Sequence, residues 1–473
     1  MVVQHNLRAM NANRMLGITT GVLSKSSEKL SSGYKINRAA DDAAGLAISE
    51  KMRKQMRGLT QASTNAEDGI SAVQTAEGAL TEVHDMLQRM NELAVKAANG
   101  TNALSDRQTI QDEVDQLLTE IDRVAETTKF NEIYLLKGDA NRVEKYLEAK
   151  DAGIDGQLQD GATTATFTMN ALQFGDSISI GGKQYQIGLV GTDGVDAAKA
   201  IVDSMASGEL ITIDGVQYTL TDNAAEENAD KNILTKDKLQ GKIVEQSSVL
   251  YKGKTYHVMK DEVSVNGDKK PDEVDDVDAS VITAAKAYSM IRQELTLANS
   301  IGAKTGGNAD VADVVMDDPA DPTKAIFTFD KGKYDVQEAL NFNLHVGADA
   351  DMTNKIGVTI DALDTRGLGI NGLNVKDSTG AYATYAIDSI AEAIAHVSKQ
   401  RSMIGAIQNR LEHTINNLDN VVENTTAAES QIRDTDMATE MVKYSNANIL
   451  QQAGQSMLAQ SNQANQGVLS LLQ

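Results

Sequence analysis

Two apolar series with a spacing of seven interleave along residues 45–99. The first is Met52, Leu59, Ala66, Val73, Leu80, Leu87 and Ala94; the second is Ile48, Ala62, Ala76, Val83, Met90 and Ala97, interrupted at Gln55 and Gly69. Alternating steps of three and four place both series along one narrow side of a helix. The pattern predicts an unbroken rod, roughly 80 Å long at 1.5 Å per residue, that cannot bury its seam against itself. Residues 387–432 supply a partner. Ile390, Val397, Ile404, Leu411, Leu418, Thr425 and Ile432 recur at sevens there, with Ile387, Ile394, Ile415 and Val422 filling part of a second series. The chain must therefore leave a helical shaft after the first rod and come back to it later.

The stretch after the first rod reads as a return. Asn99-Gly100 is a helix stop, and Ser105 with Gln108 has the form of a capping box. Ile110, Val114, Leu117, Ile121 and Val124 then follow a helical period, predicting a third rod folded back on the first. Phe130, Tyr134, Leu135 and Leu136 bring larger side chains to a turn, which reads as a hairpin plugging the core.

Both ends carry thinner stripes. Val2, Ala9, Leu16, Leu23 and Leu30 recur at sevens, as do Leu450, Met457, Ala464 and Leu471, with Met15, Val22, Ile449, Leu458 and Leu472 among the apolar residues alongside. The background is Gly, Ser, Thr, Asn and Gln, and each helical Gly costs about 1 kcal/mol relative to Ala. A single stripe hardly offsets that, so each arm is expected to be largely disordered alone and helical once its seam is covered. Pro271, Pro319 and Pro322 all lie between the rods, and none interrupts an arm or rod.

From about 141 to 337 the period changes to short strands. ISIGGKQYQI (178–187), ITIDGVQYTL (211–220) and VLYKGKTYHV (249–258) are related units, each with a Gly and a Tyr three positions later. The Gly supplies the positive φ of a tight hairpin and the Tyr a half-buried cross-strand contact. Helix-like stretches at 197–206 and 279–300 complete an α+β insertion. The expected fold is a mainly α shaft of long coiled-coil-like helices built from both terminal segments, with this α+β region inserted as an outer part. The expected divisions are an arm (1–44), shaft (45–140), outer region (141–337), shaft (338–430) and a second arm (431–473).

Composition supports that division. Residues 1–137 hold 16 basic and 18 acidic groups and residues 386–473 hold 5 and 9, which leaves 23 and 40 for the middle of a chain whose net charge is −23. A near-neutral shaft can pack densely on copies of itself, while an acidic outer region repels like surfaces and nucleic acid. Cys and Trp are absent and only 4% of residues are aromatic, as suits rods packed on Leu, Ile, Met and Ala. No run of 18 apolar residues offers a membrane span. The first residues lack the apolar core of a cleavable signal peptide.

The candidate chemistry is thin. GLGING (367–372) has a dinucleotide-loop form, yet no clear strand precedes it and NVKDSTG cannot open a helix. The six histidines (5, 84, 257, 345, 396 and 413) show no metal-ligand spacing. GDKKPDEVDDVD (267–278) lacks the alternating oxygen ligands and turn glycine of a calcium loop and reads as a solvated acidic loop. No nucleophile stands with a base, so no catalytic residue, metal or cofactor is assigned.

SSGYKINRAADDAAGLAISEKMR (31–53), LQRMNELAVKAANGT (87–101), IQDEVDQLLTEIDRVAETTKFN (110–131) and IRDTDMATEMVKYSNANILQQAGQSMLAQSNQANQGVLSLL (432–472) closely resemble the bacterial flagellins. The resemblance covers about half of the chain and does not extend convincingly into the middle. It implies a subunit of the extracellular flagellar filament, a homopolymer in which the two termini pair as inner-tube helices. Leu16, Leu23, Leu30, Leu450, Met457, Leu471 and Leu472 are then the self-assembly stripe. It also implies passage through the flagellar export apparatus, a dedicated export chaperone on the C-terminal arm, and contacts with junction and cap proteins. Arg89, Leu93 and Glu113 match the flagellin residues that contact the flagellin-sensing Toll-like receptor of animals. Arg89 and Glu113 read otherwise as solvated or salt-bridging charges, and Leu93 as contact surface between subunits. Two other readings compete: a hook–filament junction protein, and a secreted adhesin binding glycans through the outer region.

Overall fold

The computed structural model describes residues 6–262, 271–303, 323–377 and 380–471. Among the described residues eight α-helices run in chain order: α1 (Leu7–Ser32), α2 (Ala43–Ala98), α3 (Leu104–Thr127), α4 (Gly191–Ser204), α5 (Lys236–Gln240), α6 (Ala284–Ser300), α7 (Ala381–Arg433) and α8 (Met437–Leu471). The helical termini and the β-rich inserted region are those expected. Two compact units emerge: one of Met1–Val73, Phe342–Val358 and Gly405–Gln473, the other of Gln74–Asn341 and Thr359–Ile404.

In the second unit the heptad positions of α2 are buried, from Ala76 through Leu80, Val83, Leu87, Met90 and Ala94 to Ala97. On α3, Ile110, Val114, Ile121 and Ala125 are buried, while Leu117 and Val124 are half-buried. On α7 the first series holds at Ile390, Val397 and Ile404. The second row differs from expectation, because Ala386, Ala393 and Gln400 are buried where Ile387 and Ile394 are half-buried. Small side chains allow close packing on that line, and the Gln400 amide is satisfied by donating to the Thr359 carbonyl at 3.0 Å. The helix α3 starts earlier than its expected cap. Asp106 Oδ2 accepts from the Ala103 amide at 3.2 Å, and Gln108 donates to Asp112 rather than closing a capping box. The expected hairpin forms between Lys129–Phe130 and Ile133–Tyr134, with Leu135 and Leu136 buried behind it.

In the first unit, Gly69 interrupts the seam for a reason that lies far along the chain. Leu344 occupies the space a side chain at Gly69 would take. Ala348 Cβ lies 3.0 Å from where a Cβ on Gly58 would stand, and Asn65 donates to the His345 carbonyl at 2.9 Å. The turn of the hairpin Leu340–His345/Lys355–Ile360 thus lies along this face of α2. Ile48 departs from expectation and is 49% exposed, whereas neighbouring Ser49 is fully buried. The Ser49 hydroxyl donates to the Leu46 carbonyl at 3.0 Å, which removes the cost of burying it.

Among its described residues the inserted region has two cores. Phe167, Phe327, Phe329, Tyr288 and Ile291 anchor the first, formed by α6 with the sheets 157–160/164–170/324–330 and 177–180/183–187/281–282. The second lies between residues 189 and 259, where α4 and α5 pack on a six-stranded sheet through Val202, Leu239, Val249 and Val258. All three related sequence units are two-residue hairpins. Gly181-Gly182, Asp214-Gly215 and Lys252-Gly253 have positive φ at both positions, as a type I′ turn requires. Their tyrosines pair with the first apolar residue of each unit: Tyr185 with Ile178, Tyr218 with Ile211, Tyr256 with Val249. The helix expected over 279–300 begins only at Ala284, because Val281–Ile282 adds as a parallel strand to 183–187. The segment 364–375 is a run of turns in which Asp364 Oδ1 accepts from the Gly367 amide at 2.7 Å.

Candidate functional site: the terminal helix pair

Helices α1 and α8 pack antiparallel. At one end the Asn6 amide donates to the Ser461 carbonyl at 3.3 Å, and in the middle Leu16 lies against Gly454. Toward the other end the Ser26 hydroxyl donates to Glu440 Oε1 at 2.7 Å. The side chains turned inward follow the three-and-four step on both helices: Ala9, Ala12, Leu16, Thr19, Leu23, Ser26 and Leu30 on α1, and Glu440, Tyr444, Ala447, Gln451, Gly454, Leu458 and Ser461 on α8. This is a two-stranded antiparallel seam of small and polar residues with a few leucines. The Ser26 hydrogen bond, helped by Lys443, holds the Glu440 carboxyl below its ordinary range.

The expected assembly stripe is therefore divided. Leu16, Leu23 and Leu30 are half-buried inside the chain's own helix pair, while Leu450 and Met457 are about 60% exposed on faces of α8 turned away from α1. The side chain of Leu471 and the whole of Leu472 lie outside the described residues, as does Val2. Exposed apolar residues not assigned to the stripe stand on the other faces: Leu7, Met10 and Ile18 on α1, and Met441 and Val442 on α8. The heptad count singled out one apolar series on each helix and passed these residues over.

The linkers flanking the pair are clasped. The Lys35 amide donates to the Arg433 carbonyl at 2.8 Å and the Thr435 amide to the Gly33 carbonyl at 2.9 Å. The Arg433 guanidinium stands 4.8 Å from the Tyr34 ring centre and 3.0 Å from Glu50 Oε1.

Arg89, on α2, donates through Nε and Nη2 to Glu113 Oε1 of α3 at 3.0 and 2.8 Å, and through Nη1 to Glu92 at 3.1 Å. These bonds, Glu113's above all, raise the pKa of a guanidinium that stays exposed. Leu93 corrects its expected role as contact surface. It is only 2% exposed, packed inside the unit one turn from Arg89.

The remaining motifs are structural. In GLGING, Gly369 has φ +69° and its carbonyl packs against Gly302, where a side chain could not fit. His396 Nε2 faces Asp361 Oδ2 at 3.3 Å. In the acidic loop, Asp261 accepts from the Asp272 and Glu273 amides, and residues 267–270 lie outside the described part. Among the described residues no group of three or more His, Asp or Glu is placed to hold a metal, and no helix is long and apolar enough to cross a membrane.

Residues 3–141 match the bacterial flagellin N-terminal helical region and residues 387–472 the bacterial flagellin C-terminal helical region. A flagellin of Clostridium tyrobutyricum is 39% identical, covering 98% of this chain and 100% of its own. A flagellin of Halalkalibacterium halodurans is 34% identical, covering 100% of both. The structure of FliC from Burkholderia pseudomallei aligns with 72% of this chain and 99% of its own at 18% identity, with a TM-score of 0.27. The two flagellins align through the middle of the chain as well, beyond the half in which the resemblance was legible. With its long helical ends and inserted β-rich region, this chain belongs to the flagellin family, the structural subunits of extracellular bacterial flagellar filaments.

Proposed function

We propose that the subunit polymerises through the apolar faces of α1 and α8 left uncovered by their own pairing. The observation carrying this reading is that the two helices satisfy each other along one seam and still expose Leu7, Met10, Ile18, Ile449, Leu450 and Met457. A monomer that exposes so much apolar surface on both arms gains by covering it with copies of itself. Repetition of one such contact without ring closure gives a helical polymer. In this reading residues 1–44 and 431–473 are the inner arms, 45–140 and 338–430 the shaft, and 141–337 the acidic outer region that keeps filament surfaces apart.

The same arms explain the expected export partners. A Gly- and Ser-rich helix with a thin seam unfolds readily, so it can thread a narrow export channel, and a chaperone covering the α8 stripe would prevent early polymerisation. Recognition by the flagellin-sensing Toll-like receptor would use the exposed Arg89–Glu113 pair, with buried Leu93 holding α2 in place beneath it.

Electron microscopy of the purified chain after addition of filament seeds tests the assembly reading, with a chain trimmed to residues 45–430 treated identically. Long uniform filaments from the full chain alone are expected. Equal polymerisation of the trimmed chain would overturn the role given to the arms.

A further inference from the structure

We infer that Asn371 is a site of spontaneous deamidation, and that the fold selects it over the chain's other described Asn-Gly pair. Three such pairs occur: Asn99-Gly100, Asn266-Gly267 and Asn371-Gly372, of which the second lies outside the described residues. In the first, Asn99 Oδ1 accepts from the Thr101 amide at 3.1 Å and from the Thr101 hydroxyl at 3.2 Å. The side chain is held in a closed turn, and the Asn99 carbonyl is engaged as well, by Asn102 and Arg107. Asn371 has neither restraint. Its amide makes no hydrogen bond among the described residues, the Gly372 N–H donates to no acceptor among them, and both residues are exposed.

The reaction needs only water. The Gly372 backbone nitrogen, losing its proton to solvent base, attacks Asn371 Cγ. The new C–N bond closes a succinimide as the Cγ–Nδ2 bond breaks and ammonia leaves. Water then opens the ring at either carbonyl, to aspartate or to isoaspartate. A following glycine favours the attack because no Cβ shields its nitrogen.

The surroundings make the product consequential. Asn371 lines a polar cavity of about 450 Å³ in which Asp122, Glu126 and Asp364 stand among Lys137, Arg142 and Arg366. Burial raises the pKa of Asp364, with Asp122 adding to the rise and Arg366 opposing it, so a new carboxylate enters a cavity where charges of both signs already balance one another. The flanking Ile370 and Leu373 are fully buried, and Gln111 grips the chain just beyond them by donating to the Leu373 carbonyl at 2.9 Å and accepting from the Val375 amide at 2.6 Å. Isoaspartate adds one backbone carbon between those anchors. The turn 364–373 must then bulge or release one of them.

The full-length folded chain incubated at mildly alkaline pH, with peptide mapping by mass spectrometry and enzymatic methyl labelling of isoaspartate, tests this. Asn371 should convert about tenfold faster than Asn99, a barrier difference of about 1.4 kcal/mol, and the difference should vanish in denaturant. Asn371→Ser should abolish the signal from that peptide while leaving Asn99 unchanged. Conversion at Asn99 as fast as at Asn371 in the folded chain would overturn the assignment. So would an Asn371 that stays intact while the same sequence in denaturant converts.

Discussion

Ser26 on the first helix donates a 2.7 Å hydrogen bond to Glu440 on the last, joining two buried side chains from opposite ends of the chain. The carboxylate is thereby locked into a seam otherwise made of small and neutral side chains. Because the Glu440 pKa is lowered on folding, the stabilisation is fully present above the unfolded value of about 4.3. It is lost as pH falls through the lowered folded value. Glu440→Gln should cost about 1 kcal/mol of arm pairing at neutral pH. It should also flatten the loss of helicity below about pH 4.3, followed by circular dichroism. An unchanged acid transition would remove the pair from the account.

Substitutions on the two sides of the helix pair should separate folding from assembly. Met10→Glu and Ile449→Glu, both on exposed positions, should leave helicity of the free subunit unchanged and stop seeded elongation, measured by sedimentation and electron microscopy. Leu23→Ala, inside the seam, should lower helicity first.

Arg89 and Leu93 should behave as opposites. Arg89→Ala removes an exposed ion pair, so thermal stability should stay near that of the parent chain while signalling in receptor-bearing reporter cells falls. Leu93→Ala empties a buried site and should cost about 2–5 kcal/mol in denaturant unfolding. Equal loss of signalling from Arg89→Ala and from a distant exposed variant would count against the proposed receptor surface.

Gly58→Ala tests the contact of the hairpin on α2. Helix propensity alone favours Ala by about 1 kcal/mol. The added Cβ would stand 3.0 Å from Ala348 Cβ and 3.1 Å from its Cα, so backbone must yield. Overpacking of this kind costs about 1–3 kcal/mol, and a net loss is expected in denaturant unfolding. A gain would show that the hairpin moves freely.

In the second core of the inserted region, Asp214 and Gly215 both have positive φ. Gly215→Val should therefore destabilise that lobe by about 1–2 kcal/mol. Hydrogen exchange should show faster exchange in 210–220 and leave the α2 seam unaffected.

The amino-acid sequence by itself determined the long buried lines of α2 and α7, because a seven-residue apolar repeat has one geometric solution on a helix. It determined the three hairpins for a similar reason, since tight type I′ turns demand positive φ and glycine announces it. Tertiary structure decided which row became which surface. Gly69 is a gap in a stripe until Leu344 fills it, and Ile48 stays outside while Ser49 goes in because a hydroxyl can satisfy itself on its own helix. On α7 the closely packed row is Ala386, Ala393 and Gln400, which hydropathy ranks below the isoleucines beside it. In the arms, Leu23 and Leu450 carry the same apolar signal, and only the pairing of α1 with α8 sends one inward and leaves the other exposed. Periodicity records that a side chain is apolar and where it sits on its helix; what covers it depends on residues hundreds of positions away.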